Sequence, residues 1–248
     1  NDTEIYFFLN LRNQKENVKI EFRITGKIPE LWHADTGEIE TADYTIGNGI
    51  TSVSYEFNPE ESVFVIFSKS AVNSTYQKPK VIAKTAASLN DSWNVTFSPN
   101  LGAPEKITLD KLISLSEHQE DGVKYFGGTA TYKKEFAFGK EWFKPGNKFL
   151  LDLGIVKDIA EITVNGKAIG VLWKLPYQID ITPALKQGSN TLEIKVTNQW
   201  TNRITGDGIN PTSKVLSGAG LSFGGGNTKL IESGLIGPVT INQTSIQQ

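Results

Sequence analysis

Residues 149–198 constrain this chain more than any other stretch, because they spell a run of short antiparallel strands with their turns. Phe149, Leu151 and Leu153 alternate with outward positions. Ile162 and Val164 lead into Asn165-Gly166, and residues 168–172 lead out of it. Asn-Gly between two alternating apolar runs is a strong hairpin signal, because both residues tolerate positive φ. Leu192, Ile194 and Val196 then alternate with Thr191, Glu193, Lys195 and Thr197, which is a strand with one buried and one wet face.

The remainder continues in the same manner. Residues 4–12, 17–25, 50–57 and 62–68 read as strands. Asp35-Thr36-Gly37 marks a turn between two short strands. The polar stretch 69–80, with Pro79, reads as a linker. Ser92–Phe97 and Tyr125–Phe136 supply further strands, the second entered through glycines, and residues 109–115 form a short helical turn or an irregular apolar segment. No helix of real length is expected. The fold class is therefore all-β, with two tandem β-sandwich modules. The first spans 1–76 and is open to further strands upstream, and the second spans 77–248.

Composition narrows the function classes. The chain has 25 Lys and Arg against 27 Asp and Glu, so no basic stripe points to nucleic acid. No run of about 18 apolar residues is present to span a membrane as a helix. With no cysteine there is no disulfide, thiolate zinc site or cysteine nucleophile. The chain has no methionine and opens at Asn1, which reads as a processed chain or an excised fragment, the fragment being favoured because Glu4–Leu9 already forms a strand. Asn1, Asn73, Asn90, Asn94 and Asn242 begin Asn-x-Ser/Thr triplets, read as chance in an Asn- and Thr-rich β protein. The glycine- and serine-rich stretch 213–226 reads as a long loop, and Gly218, Gly220 and Gly224 lack the spacing of a dinucleotide loop.

The motifs carry a resemblance. Asp152-Leu153-Gly154, the strand into Val164-Asn165-Gly166-Lys167, Gly170, and the set Tyr177, Asp180-Ile181-Thr182, Leu185, Gly188, Asn190, Leu192, Val196 and Asn198 are similar to the galactose-binding-like jelly roll of family 2 glycoside hydrolases. Residues 196–207 and 232–239 resemble family 106, the α-L-rhamnosidases. The resemblance implies the non-catalytic C-terminal region of a bacterial glycoside hydrolase that is secreted, periplasmic or at the cell surface. It places the catalytic carboxylates in an upstream barrel, a module needing roughly 250 residues that this chain lacks. The region's role would be to support that module and to bind plant or host glycan. Two other classes stay open: a stand-alone carbohydrate-binding protein, and a structural or adhesive tandem sandwich.

Candidate residues follow from sugar chemistry. Sugar C–H faces stack on flat rings, and hydroxyls pair with Asp, Asn and Arg. Trp142, Trp173, Tyr177 and Trp200 are the ring candidates, with Trp142 and Trp173 expected at the surface and Trp93 the fifth ring weighed. Arg203 and Asp207 bracket what reads as a turn, either as an ion pair that fixes the loop or as groups touching sugar. Glu117, Glu120 and Asp121 read as a solvated acidic loop, and His33 and His118 as loop histidines outside any metal or triad pattern. The resemblance also raises a structural calcium ion, which jelly rolls of this type often hold; no contiguous calcium-loop motif is present, and Asp152, Asp158 and Asp180 are the candidate contributors.

Overall fold

The computed structural model describes residues 2–210, 215–216 and 229–246; the glycines at 218, 220 and 224 lie outside them. The described chain is built of strands and divides into two compact units, with the boundary between Val81 and Ile82.

The first unit contains β1 (Glu4–Leu9), β2 (Glu16–Phe22), β3 (Lys27–Trp32), β4 (Ile39–Thr41), β5 (Asp43–Gly47), β6 (Ile50–Phe57), β7 (Ser62–Ser70) and β8 (Thr75–Tyr76). They form two four-stranded sheets, ordered β1-β7-β3-β4 and β2-β6-β5-β8. Alternation explains the sandwich: Val63, Val65 and Phe67 of β7 point inward and meet Phe22, Val53 and Phe57 from the other sheet. Phe22 and Phe67 pack edge to face at 5.0 Å. The stretch expected as a linker is part of this unit. Tyr76 and Thr75 pair with Tyr44 and Thr45, and the Tyr44 and Tyr76 rings stack at 6.3 Å.

The second unit contains β9 (Val81–Ser88), β10 (Trp93–Phe97), β11 (Lys106–Leu109), β12 (Thr129–Phe138), β13 (Lys148–Asp152), β14 (Ile155–Lys157), β15 (Ile159–Val164), β16 (Lys167–Leu172), β17 (Gln178–Asp180), β18 (Gly188–Thr197), β19 (Gly234–Gly237) and β20 (Thr240–Ile246). A six-stranded sheet, β11-β10-β12-β18-β15-β16, and a four-stranded sheet, β17-β13-β20-β9, enclose the larger core, with β14-β19 as a separate ribbon. The β12-β18 ladder is ten residues long and antiparallel from Thr129↔Thr197 to Phe138↔Gly188. The Asn165-Gly166 hairpin forms as expected, with φ of 51° and 79°. A polar clasp locks it: Asn165 Nδ2 donates to Ala184 O and to Asn190 Oδ1, and the Thr191 amide donates to Asn165 Oδ1. Asn190 is fully buried and closes its own loop through Lys186 and Gly188.

Among the described residues two α-helices interrupt the strands: α1 (Asp121–Lys124), a single turn, and α2 (Thr201–Ile209). The second corrects the reading of Arg203 and Asp207 as brackets of a turn. They stand one helical turn apart on α2.

Candidate functional site

Helix α2 runs against the usual rule for amphipathic helices. It buries Asn202, Arg203, Gly206 and Asp207 and leaves Ile209 exposed. Each buried polar group has work to do in the backbone around it. Asn202 exchanges two hydrogen bonds with Ile231, Nδ2 donating to its carbonyl and Oδ1 accepting from its amide. Arg203 Nη2 pairs with Asp207 Oδ1 at 2.8 Å, both side chains buried. Asp207 also accepts from the amides of Val215 and Leu216, one on each oxygen. The helix thereby fixes residues 215–216 and Ile231 from one polar face.

Small residues let the helix seat this closely. A Cβ on Gly206 would lie 2.6 Å from the Tyr125 ring, and one on Gly127 would lie 3.1 Å from the Trp200 ring and 3.0 Å from Arg203 Cβ. The Arg203 guanidinium stands 6.0 Å from the Tyr125 centroid, within cation–π range. Its buried Nε has no acceptor among the described residues. The Asn198 side chain ties the start of the loop down, accepting from Gly128 N and donating to Phe126 O. Trp200, half-exposed, is the ring that this cluster presents outward. Both Asp207 oxygens are thus engaged, and the cluster ties residues 215–216 to α2.

A second feature is an open groove of about 710 Å³ on the outer face of the six-stranded sheet. Register sets its lining. Lys133 faces Glu193 on β18 and Asn94 on β10, and Glu135 faces Thr191. Lys133 Nζ bonds Glu193 Oε2 at 2.8 Å, and Lys195 Nζ lies 4.0 Å from Glu193 Oε1. Glu135 and Glu193 both line the groove, but Glu193 is held in this cross-strand ion pair. Trp173 lies just past β16 at the far edge of the same sheet. Leu172 pairs with Ala160, so the register carries Trp173 beside Ile159, and both side chains are exposed, Trp173 at 61%.

The other candidates disperse. Trp142 is half-buried, contrary to the expectation of exposure, because it packs on the Phe138 ring at 6.3 Å and under Lys84 Nζ at 5.5 Å. Tyr177 belongs to the core. Its hydroxyl donates to Asp158 O at 2.7 Å, and burial raises its pKa, with Asp158 adding to the effect. Trp93 is fully buried, its indole donating to Leu89 O. Asp152 accepts from Gly154 N and Gln178 Nε2, and Asp180 from Thr182 N. Among the described residues no group of three or more His, Asp or Glu is placed to hold a metal ion. The structure thus brings together Trp200, Arg203 and Asp207, and sets Trp173, Trp142 and Tyr177 apart from them.

One polar cluster was not expected. In the first unit His33 Nε2 meets Glu40 Oε1 at 3.3 Å, Lys78 Nζ meets the same oxygen at 2.6 Å, and Tyr55 OH donates to Glu61 Oε1 at 2.9 Å. His33 Nδ1 stands 3.9 Å from Glu61. The hydrogen bond to Glu40 raises the His33 pKa. The same bond, aided by Lys78, holds Glu40 at about 2. No local motif announced it, since its members are separated in sequence and converge only through the sheets.

Comparison with known proteins places this architecture. The model of an α-L-rhamnosidase family matches residues 1–46, and a "Glycosyl hydrolase 2 galactose-binding domain-like" model matches residues 101–214. The structure of a rhamnosidase from Novosphingobium sp. PP1Y is similar at a TM-score of 0.88 and 38% identity, over 96% of this chain and 22% of that one. A Formosa agariphila protein named for β-glucuronidase activity is 39% identical over 192 residues, which are 66% of this chain and 16% of that protein. This chain therefore spans less than a quarter of the length of either relative. It is glycoside-hydrolase-related, with an all-β architecture shared with a rhamnosidase and a galactose-binding-like domain of the family 2 type. The rhamnosidase model meets the first strands and does not reach residues 196–207 and 232–239.

Proposed function

We propose that this chain is a non-catalytic region of a longer, secreted bacterial glycoside hydrolase that cleaves terminal α-L-rhamnosyl bonds, and that it supports the catalytic module of that enzyme. One observation carries the reading. Asp207, the buried carboxylate of the α2 cluster, is engaged by Arg203 and two backbone amides, so the cluster shapes loops and presents no free acid–base pair among the described residues there. Alignment of nearly the whole chain with 22% of a rhamnosidase supports the same division of labour. The test is hydrolysis of an aryl α-L-rhamnoside. The chain alone should show none, and the chain joined to the polypeptide adjoining it in its reading frame should turn the substrate over. Turnover by the chain alone would sink the proposal.

A second role is favoured by Trp173, whose exposed ring lies just past β16, at the edge of the sheet that carries the polar groove, and offers a stacking surface for a sugar. Calorimetric titration with rhamnose, galactose and pectic oligosaccharides, with and without calcium, should give saturable heat that Trp173→Ala abolishes. Equal heats in the two proteins would remove the ring from the account.

A further inference from the structure

The β1-β7-β3-β4 sheet carries on its outer face a row that its sequence does not show. Register places Phe7 opposite Phe64, Phe64 opposite Trp32, and Trp32 opposite Ile39, so one apolar row crosses all four strands. Ile5 and Leu9 extend it along β1, on the same face as Phe7. Phe7 is 56% exposed, Ile39 50% and Ile5 62%, while Phe7 and Phe64 touch with centroids 5.0 Å apart. Isolated apolar residues on a surface are ordinary, but a contiguous face rimmed by polar groups marks an interaction site. The face also runs to a sheet edge: among the described residues β1 pairs only with β7, and an apolar edge strand left open invites aggregation.

We infer that this face is the docking surface for the catalytic module of the longer chain, an inference that rests on the function proposed above. Two observations select that occupant. The α-L-rhamnosidase model matches residues 1–46, which hold three of the sheet's four strands: β1, β3 and β4. The similar rhamnosidase structure has most of its polypeptide outside the matched region, this chain covering 22% of it. A neighbouring module in the same polypeptide meets the face at high effective concentration, so an apolar surface of this size can be covered without a separate binding partner.

The test compares the 248-residue chain with the chain joined to the polypeptide adjoining it in its reading frame. In the joined protein, β1 amides should exchange at least about tenfold more slowly than in the chain alone. Phe7→Glu with Trp32→Glu should leave the melting temperature of the chain alone within about 3 °C, as exposed sites do. In the joined protein the same pair should restore fast β1 exchange and shorten the lifetime of rhamnoside hydrolysis on heating; Ile39→Lys, a single change, repeats the test more mildly. Equal β1 exchange in the two unmodified proteins overturns the inference. So does a dimer of the chain alone that the double variant converts to monomer, since a second copy would then be the occupant. A reading frame with nothing adjoining overturns it as well. If the joined protein hydrolyses rhamnosides while β1 stays open, the docking surface fails and the proposed function stands. If β1 is covered and no glycoside is cleaved, the proposed function fails and takes this occupant with it.

Discussion

The six-stranded sheet of the second unit and the β1-β7-β3-β4 sheet of the first each turn one face to solvent, and the two faces are built in opposite ways. Across the first runs Thr163–Glu193–Lys133–Asn94, a row of hydroxyl, carboxylate, ammonium and amide groups. Across the other runs Phe7–Phe64–Trp32–Ile39. Both obey the same period-two alternation, and both have a well-packed inner face. The difference teaches that alternation builds a sandwich, while the chemistry of the outer positions states what the outside is for. A charged face is complete in water; an apolar one calls for protein. The same contrast holds for the polar clusters. The second unit seals Arg203 and Asp207 away, and the first leaves His33 and Glu40 half-buried and titratable.

The sealed cluster should give the largest effect. Arg203→Ala leaves Asp207 buried without its counter-charge, and should cost about 3–5 kcal/mol. For a unit of this size that is a fall in melting temperature of roughly 10 °C. A thermal melt within error of the unmodified chain would show that the cluster is not sealed.

Two neighbouring lysines test the faces within one strand. Lys134 points to the covered side of β12, where its amine pairs with Asp91 at 2.6 Å and donates to Ser92 O. Lys134→Ala should cost about 1–3 kcal/mol through lost stem packing and an orphaned carbonyl. The pH response of the first unit comes next. The pKa of Glu40 is depressed from 4.5, so its contribution is present above 4.5 and lost as pH falls toward 2. The pKa of His33 is raised from 6.5, so its contribution is complete below 6.5 and lost as pH rises through the higher folded value. Together they favour the first unit most between pH 4.5 and 6.5. Melts followed from below pH 4.5 to above pH 6.5 should fall away less on either side of that window in a His33→Asn, Glu40→Gln double variant, and superimposable profiles would contradict the assignment. The smallest effect belongs to Lys133→Ala, on the wet face beside Lys134, at under about 1 kcal/mol, because an exposed cross-strand ion pair contributes little. Equal losses at the two lysines would erase the distinction between the faces.

Much of this was legible in the sequence. Strict alternation gave away β18, and Asn165-Gly166 fixed the hairpin, because those signals are local and each is enforced by backbone geometry. Trp173 follows the Asn-Gly hairpin and was expected at the surface, where it lies. Helix α2 could not: its sequence, TNRITGDGI, contains two glycines and two threonines, and what holds it is the inward polar face it shares with Ile231 and residues 215–216. Tyr177 read as a loop ring but is drawn inward by its bond to Asp158 O. The apolar row was invisible for another reason. Residues 7, 64, 32 and 39 become neighbours only once the register of three ladders is known.

The most direct measurement is residue-level oxidative labelling of the tryptophans, read by mass spectrometry, in the chain alone and in the chain joined to its adjoining polypeptide. Trp32 and Trp173 are both exposed here, on the two opposed kinds of face. The account predicts that Trp32 labels freely in the chain alone and is protected in the joined protein, while Trp173 labels in both. Trp32 labelling equally in the two proteins would contradict it.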